Sequence, residues 1–305
     1  MRVFVTGATG YVGSAVVREL LDHDYSVIGL ARSDASAETL KDAGAEAHHG
    51  NLEDLESLRA GAVRADAVIH LGFNHDFSKF AENCAHDAEV VRAIGNELAG
   101  SDRLFLATSG TAILTAGAGS KETDLAPTGD GVNPRVATEH AVGEMAQKGV
   151  KISAVRLAPS VHGAGDRGFV RMLADIATHR GEGAYIDEGQ NRWCAVHRLD
   201  AARLYRLALE RNEGGVHYHG VAEEGVPFKD IAEALGHSLD LPVSSKTGDD
   251  AQAYFDWFHF MAALDCPASG GWTREALNWT PTEPSLIADI DAGLYRPADE
   301  RGGNG

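Results

Sequence analysis

Short apolar runs alternate with longer amphipathic stretches along the first half of the chain. Between the runs, apolar residues recur three and four positions apart, as Val16, Val17 and Leu20 do in a helix predicted over Ser14–Asp22. A further helix is predicted within Ala81–Leu98. This alternation predicts an α/β fold with a doubly wound parallel sheet. The predicted strands are Arg2–Thr6, Ser26–Leu30, Glu46–His49, Ala67–Leu71, Arg103–Thr108 and Lys151–Leu157.

The alternation loosens after Leu157. The glycine-rich segment Pro159–Phe169 predicts a loop, and the aromatic-rich segment Tyr254–Leu264 predicts the core of a smaller lobe. Between and after them the pattern predicts helices at Phe169–Arg180, Asp200–Arg211 and Phe228–Leu235, and strands at Trp193–Val196 and Val216–Gly220.

The first strand runs directly into Gly7-Ala8-Thr9-Gly10-Tyr11-Val12-Gly13, and the first helix follows. A glycine turn between a strand and a helix is the setting of a dinucleotide-binding loop. Gly7 allows the tight turn, Gly10 allows close approach to a pyrophosphate, and Gly13 allows the helix to pack on the strand. The helix N-terminus presents free N–H groups to the phosphates. The residues predicted to contact the cofactor here are Gly7, Thr9, Gly10, Tyr11 and Val12.

The wording Thr-Gly-Ala-Thr-Gly-Tyr-Val-Gly and the spacing G-x-x-G-x-x-G resemble the short-chain dehydrogenase/reductase superfamily, in its extended and atypical branch of epimerases, dehydratases and reductases. The resemblance runs from Met1 to about Leu209. It implies a Rossmann-type doubly wound sheet, a small and mostly C-terminal substrate lobe, and a homodimer formed through helices that flank the sheet. We accordingly expect an NADP-binding domain over 1–158, interleaved final strands and lobe over 159–296, and a disordered tail over 297–305.

Composition narrows the partners. The 27 basic and 45 acidic residues give a net charge of −18, which argues against nucleic acid and anionic membranes. Cys84, Cys194 and Cys266 are odd in number and far apart, which favours a reducing, cytoplasmic setting without disulfides. We see neither a signal peptide nor an apolar stretch long enough to span a membrane. His217 and His219 have no nearby Cys or carboxylate in sequence, so no metal site is predicted.

The end of the second strand predicts the cofactor. No Asp or Glu lies between Ser26 and Ser33 to accept from the adenosine ribose hydroxyls. Arg32 can instead pair with a 2′-phosphate, and Ser33 can donate to it. The sequence therefore favours NADP(H) over NAD(H), and the alternative is a surface arginine that happens to follow a strand.

The resemblance implies further cofactor contacts. Residues after the third strand would lie near the adenine, those ending the fourth strand would run along the cofactor with their backbone, and those after the sixth strand would line the nicotinamide. The matching positions are Asn51, Leu52, Leu71, Gly72, Phe73, Pro159, Ser160 and Val161.

The catalytic positions depart from the family pattern. Ser109, at the end of the fifth strand, matches the residue that holds the substrate oxygen, and Thr111 is a second candidate. The hallmark Tyr-x-x-x-Lys occurs nowhere in the chain, and Arg135 and Glu139 occupy its two places. Arg135 can donate hydrogen bonds but not protons, so it would stabilise a developing alkoxide, with Glu139 holding it one helical turn away. His162 is a candidate proton donor. In the alternative interpretation Arg135 and Glu139 form a surface ion pair and no catalysis occurs.

Four other residues complete the candidates. His75 and Asp76 are either substrate contacts or ordinary loop residues, Trp193 would line the substrate cleft, and Asp200 would cap a helix. Together the observations predict an NADP(H)-dependent oxidoreductase that interconverts a carbonyl and a secondary alcohol of a small organic molecule. The alternatives are an NADP-binding redox sensor without turnover and a sugar-nucleotide epimerase or dehydratase.

Overall fold

The computed structural model of the protein describes residues 1–114, 117 and 119–297. The strands, in chain order, are β1 Arg2–Thr6, β2 Ser26–Ala31, β3 Glu46–His49, β4 Ala67–His70, β5 Leu104–Gly110, β6 Ile152–Leu157, β7 Ser160–His162, β8 Gly183–Ile186, β9 Arg192–His197, β10 His217–Gly220, β11 Glu223–Pro227 and β12 Val243–Lys246.

The helices are α1 Tyr11–Asp22, α2 Asp34–Asp42, α3 Leu55–Val63, α4 Phe80–Leu98, α5 Val136–Gln147, α6 Phe169–Arg180, α7 Arg198–Arg211, α8 Phe228–Ser238, α9 Gly248–Phe255, α10 His259–Ala262, α11 Gly271–Leu277 and α12 Leu286–Asp291. Short 3₁₀ helices lie at Phe77–Lys79, Thr111–Ile113 and Asp256–Phe258. Within the described residues, no helix is both long enough and apolar enough to cross a bilayer.

A seven-stranded sheet forms the centre of the molecule, with strand order β10-β6-β5-β4-β1-β2-β3 and every pair parallel. This confirms the predicted doubly wound α/β fold. The chain leaves β1 toward one edge through β2 and β3, and then crosses to the other side at β4. Ligands of such sheets bind beyond the carboxyl ends of the strands at this reversal. The glycine loop, which follows β1, therefore lies at the expected crevice.

Both faces of the sheet are covered, because residues alternate across each strand. Val3 and Val5 of β1 face one buried apolar cluster with α1 and α7, and Phe4 faces a second with α4 and α5. The sequence pattern predicts β1, β3 and α6 with the observed bounds. Helix α1 begins three residues earlier than predicted, immediately after Gly10.

The second half of the chain contributes the small lobe and one central strand, β10, which pairs with β6. The predicted loop Pro159–Phe169 contains β7, a strand of three residues whose partner β9 lies further along the chain. Local pattern cannot reveal so short a strand, because its hydrogen bonds come from a distant segment. Residues 298–305 of the predicted tail lie outside the described residues.

Two predictions about this lobe are wrong. Trp193 does not line a cleft: its ring is fully buried among Phe228 and Phe258, and its Nε1–H donates to the Met261 carbonyl at 3.2 Å. Asp200 does not cap α7, because the helix begins at Arg198. The cap is His197, whose Nδ1 accepts from the Leu199 N–H, and buried Asp200 instead accepts from the N–H groups of Thr282 and Glu283 at 3.0 and 3.1 Å.

Candidate active site

The glycine loop is too tight for side chains at two positions. Gly7 adopts φ +64°, and a Cβ there would lie 2.7 Å from the Gly72 nitrogen. A Cβ on Gly13 would lie 2.0 Å from the Gly7 carbonyl oxygen, which also accepts a hydrogen bond from the Gly10 N–H at 2.8 Å. The turn therefore brings the start of α1 against the end of β1, as a dinucleotide loop requires.

The N-terminus of α1 is open to an anion. Its N-cap is Gly10, which has no side chain to cap the helix, and its first turn holds no acidic residue. The first backbone N–H groups of a helix have no partner within the helix, and the helix dipole makes this end positive. The predicted contacts Thr9, Tyr11 and Val12 lie at this end. These features fit the pyrophosphate of a dinucleotide.

Gly13→Ala tests this geometry. Alanine is normally the better helix former, so any loss comes from the clash with the Gly7 carbonyl. We expect unfolding free energy to fall by about 1–3 kcal/mol and dinucleotide affinity to fall with it. The control is Gly143→Ala in α5, where a Cβ has no neighbour within 4 Å and we expect a gain of about 0.5–1 kcal/mol. Denaturant titration and cofactor titration measure both effects, and equal behaviour of the two variants would contradict the prediction.

The predicted adenosine end lies after β2 and β3. Arg32 is exposed directly after β2 and makes no ion pair with any described residue. Ser33 is the N-cap of α2, since its Oγ accepts from the Ser36 N–H at 3.2 Å. The side-chain oxygen of Asn51 accepts from the Asp54 N–H at 2.8 Å. Arg32 is thus the side chain of this group that protein contacts leave free.

Leu71, Gly72 and Phe73 follow β4 and lie beside the glycine loop. The Gly72 N–H donates to the Thr6 hydroxyl at 3.1 Å, and a Cβ on Gly72 would lie 2.9 Å from a methyl group of Leu52. Close backbone packing therefore explains the glycine at position 72. In the segment after β6, the Ser160 hydroxyl is buried and has no hydrogen-bond partner.

A buried chain of polar side chains leads from β1 to the predicted catalytic arginine. The Thr6 hydroxyl contacts His70 Nδ1 at 2.6 Å, and His70 Nε2 contacts Asp87 Oδ1 at 3.0 Å. The other oxygen of Asp87 accepts from the Thr138 hydroxyl and from Arg135 Nη1, each at 2.5 Å. Burial raises the pKa of Asp87, but the Arg135 charge and the His70 hydrogen bond outweigh it and hold the pKa well below its usual range.

Arg135 is held at the carboxyl end of β5. Its Nη2 donates to the Thr108 carbonyl at 3.0 Å, and its guanidinium lies 4.2 Å from the centre of the Phe73 ring. Its Nε–H has no partner among the described residues. The prediction that Glu139 holds Arg135 is wrong, and so is the alternative of a surface pair between them. The partner is Asp87, which lies on α4 and is 3% exposed.

Glu139 serves a different buried pair. Its carboxylate accepts two hydrogen bonds from Arg156 of β6, at 2.8 and 3.0 Å, and His217 Nε2 lies 3.3 Å from it. The side chains of Glu139 and Arg156 are 2% and 0% exposed, respectively. Burial raises the pKa of Glu139, but hydrogen bonds from His217 and Arg156 and the Arg156 charge hold it well below its usual range. At the family's lysine position this chain therefore carries a structural carboxylate.

Ser109 and Thr111 differ in their freedom. Ser109 lies on β5 and is 5% exposed, and its Oγ has no hydrogen-bond partner. The Thr111 hydroxyl donates to the Leu157 carbonyl at 3.4 Å and contacts Cys194 Sγ at 3.2 Å. Protein contacts thus occupy Thr111, whereas the buried Ser109 hydroxyl has no protein partner.

His162 lies in the lobe. Its Nδ1 contacts Asp289 of α12 at 2.6 Å, and its Nε2 lies 3.9 Å from Glu223. Burial lowers the pKa of His162, although its hydrogen bond to the Asp289 carboxylate opposes this. Among the described residues, no hydrogen bond or ion pair connects it to Ser109 or Arg135. Its role as proton donor stays a prediction.

Two residues near Arg135 gain importance from the structure. His75 is exposed but packs edge-on against Phe73, with ring centres 5.1 Å apart, and desolvation by its neighbours and the Arg135 charge lower its pKa. Asp87 carries no motif, yet it lies three and four positions before Val90 and Val91, on the apolar face of α4. A carboxylate on a buried helix face was the signal in the sequence, because such a group needs a charged partner.

Unpartnered polar atoms also mark the site. Seven buried side-chain nitrogen or oxygen atoms of the described residues lack a hydrogen-bond partner. Four of them belong to residues predicted for the site, namely Tyr11, Ser109, Ser160 and His162. Leaving such a group unpaired costs about 1–3 kcal/mol, so a partner supplied by a bound molecule or a water would be favourable at each of these atoms.

Comparison with known proteins gives a consistent result. A protein of Schizosaccharomyces pombe described as uncharacterized is 43% identical over 97% of this chain and 100% of its own length. A 4-hydroxy-2-methyl-3-oxo-4-farnesyl-3,4-dihydroquinoline-1-oxide ketoreductase of Stigmatella aurantiaca is 28% identical over 72% of this chain and 67% of its own. The fold is shared with UDP-glucose 4-epimerase of Thermotoga maritima, with a TM-score of 0.74 and 19% identity over 96% of this chain and 97% of that one. The profile of the NAD dependent epimerase/dehydratase family matches residues 3–221. The chain therefore belongs to the NAD dependent epimerase/dehydratase family, within the extended short-chain dehydrogenase/reductase superfamily that its glycine loop resembles.

Proposed function

We propose that the protein is an NADP(H)-dependent oxidoreductase that interconverts a carbonyl group and a secondary alcohol on a small organic molecule. The observation that carries the proposal is the free Ser109 hydroxyl next to Thr108, whose carbonyl holds Arg135, on a strand end at the glycine-loop edge of the sheet. The family's name and the Stigmatella ketoreductase support a nicotinamide enzyme of this general type.

The residues that would hold the cofactor fit it. The open N-terminus of α1 suits the pyrophosphate, and Arg32 suits a 2′-phosphate. When bound, the cofactor supplies or accepts a hydride at the nicotinamide ring. The chain itself must then bind the substrate oxygen, stabilise its charge and move one proton.

Ser109 and Arg135 divide the first two tasks. The Ser109 hydroxyl donates a hydrogen bond to the substrate oxygen, and the Arg135 guanidinium stabilises the negative charge that develops there. Asp87, Thr138 and the Thr108 carbonyl fix the guanidinium in place, so little reorganisation is needed during the reaction. Arginine cannot give up its proton, so the proton comes from another group.

His75 contacts the same Phe73 ring as Arg135, and the Arg135 charge acts on it. Its lowered pKa favours the neutral form of the ring, which is the form that can accept a proton when an alcohol is oxidised. His162, the donor predicted from the sequence, remains the second candidate for this step.

Consumption of NADPH and NADH over a panel of ketones, diketones, aldehydes and imines tests the proposal. Turnover with NADPH supports it. A redox-sensing role is the second candidate, favoured by the ion pair that holds Arg135 where the family has its tyrosine. NADPH binding without consumption by any carbonyl would favour the sensor, and a tightly retained NAD after purification would favour an epimerase.

Arg32→Ala tests the cofactor preference. Loss of a charge-assisted contact with the 2′-phosphate is expected to raise KM for NADPH by about 10- to 100-fold and to leave KM for NADH nearly unchanged. Arg18→Ala is the control, because Arg18 is an exposed arginine of α1 that pairs with Asp22 at 2.9 Å. Steady-state kinetics with both cofactors measure the effect. A parallel loss with NADPH and NADH would show that Arg32 does not read the 2′-phosphate.

A further inference from the structure

A continuous set of aromatic rings extends from Arg135 into the small lobe. We call this set the aromatic wall, and it consists of Phe73, His75, Phe77, Phe80, Phe169 and Trp257. Phe77 is its centre, with ring centres 5.8 Å from Phe80, 6.0 Å from Phe169 and 5.6 Å from Trp257. His75 links Phe77 to Phe73, at 6.3 and 5.1 Å.

The wall begins at the proposed reaction site. Phe73, His75 and Phe77 follow β4, whose neighbours in the central sheet are β1 and β5. The guanidinium of Arg135 lies over the Phe73 ring, and the same guanidinium reaches the end of β5 beside Ser109. The wall ends on the lobe, where Phe169 opens α6 and Trp257 lies in a 3₁₀ helix. It therefore bridges the two parts of the molecule across the crevice.

The aromatic rings of the wall are more exposed to solvent than the rings of the lobe core. Trp257 is 50% exposed, whereas its neighbour Phe258 is fully buried and packs against Trp193 in the lobe core. Phe73, Phe77 and Phe169 are half-buried. An exposed indole next to half-buried rings leaves aromatic faces free to receive another flat apolar group.

We propose that the aromatic wall binds a flat aromatic group attached to the substrate carbonyl, so that the substrates are aryl ketones or aryl aldehydes and not sugars. This inference rests on the proposed function. The wall connects Trp257 through Phe77 and His75 to Phe73, so the substrate carbonyl would face the Phe73 end of the wall, where the Arg135 guanidinium lies. The carboxylate of Asp76, which lies within this segment and accepts from the Ser78 N–H at 3.1 Å, would repel the diphosphate of a sugar nucleotide.

The test compares two methyl ketones of similar size, acetophenone and cyclohexyl methyl ketone, with the protein saturated with NADP⁺ and also without cofactor. Saturation-transfer NMR and calorimetric titration measure binding, and NADPH consumption measures turnover. We expect acetophenone to bind more tightly, and Trp257→Ala to weaken acetophenone binding by about 3- to 10-fold while hardly changing the cyclohexyl compound. Trp272→Ala is the matched control, because Trp272 is 40% exposed on α11 and stacks on Tyr218 away from the wall.

Each failure has its own signature. Acetophenone binding that depends on Trp257, without consumption of NADPH by any carbonyl, would overturn the proposed reductase and leave the aromatic site standing. Turnover of small aliphatic carbonyls that is indifferent to Trp257→Ala, together with equal binding of the two ketones, would overturn the aromatic site and leave the reductase standing. Circular dichroism of each variant confirms that the fold is retained, and Phe77→Leu provides a second variant at the centre of the wall.

Discussion

Glu139→Gln is expected to lower the free energy of unfolding by about 3–5 kcal/mol at pH 7, because it leaves the Arg156 guanidinium buried without a counter-charge. Arg156 is fully buried on β6, and it donates two hydrogen bonds to the Glu139 carboxylate. Glutamine keeps the size of the side chain and removes its charge, so the loss reports the ion pair. Urea or thermal unfolding measures it.

The control for this variant is Glu144→Gln on the same helix. Glu144 pairs with Arg92 and Lys148, but these side chains are 38–52% exposed, so we expect a small change. A loss of similar size at both positions would contradict the prediction.

The pH dependence of the difference has a definite sign. Because the pKa of Glu139 is held below its usual range, the stabilisation is complete above the unfolded-state pKa of about 4.3 and is lost as the pH falls toward the lowered folded-state value. The difference in unfolding free energy between wild type and Glu139→Gln should therefore become smaller in acid.

For the same electrostatic reason, restoring the family's Tyr-x-x-x-Lys pair with Arg135→Tyr and Glu139→Lys should fail to yield a stable enzyme, since Lys at position 139 places a second cation beside Arg156.

Arg135→Ala is expected to lower kcat of carbonyl reduction by about 10²- to 10³-fold, the loss typical of removing one group that stabilises a developing oxyanion. KM for NADPH should change little, since the proposed function assigns Arg135 to the substrate and not to the cofactor. Arg135→Lys retains a positive charge but loses the planar guanidinium that donates to Asp87, Thr138 and the Thr108 carbonyl. Its kcat should therefore lie between that of wild type and that of Arg135→Ala.

A purely structural arginine would behave otherwise. Removing it would leave buried Asp87 without its cation, lowering stability but leaving kcat of the folded fraction near that of wild type. Thermal unfolding and active-site titration of each variant separate the two outcomes. Arg92→Ala is the control, because Arg92 forms a half-exposed ion pair with Glu144 on α5.

The contrast between Arg135 and Glu139 shows why position within a motif does not settle a role. The two residues lie one helical turn apart, which made a pair between them the natural prediction. In the fold, α5 lies between α4 and β6 in such a way that Arg135 meets Asp87 and Glu139 meets Arg156. Asp87 and Arg156 lie on α4 and β6, so the spacing of residues along α5 does not reveal either partner.

The central sheet, the glycine loop and the opening of α1 follow from the sequence because their determinants are local. Apolar periods of two and 3.6 residues define strand and helix over a few positions, and Gly7 and Gly13 are required by contacts within the same turn or with its neighbour. The partners of charged and polar side chains are different, because they depend on which elements become neighbours. His162 contacts Asp289, which lies more than a hundred residues away in the sequence. Trp193 lies in the lobe core because it packs against Phe228 of α8 and against Phe258. The sequence pattern predicts which face of an element is buried, whereas the packing of distant elements determines which residues each buried side chain contacts.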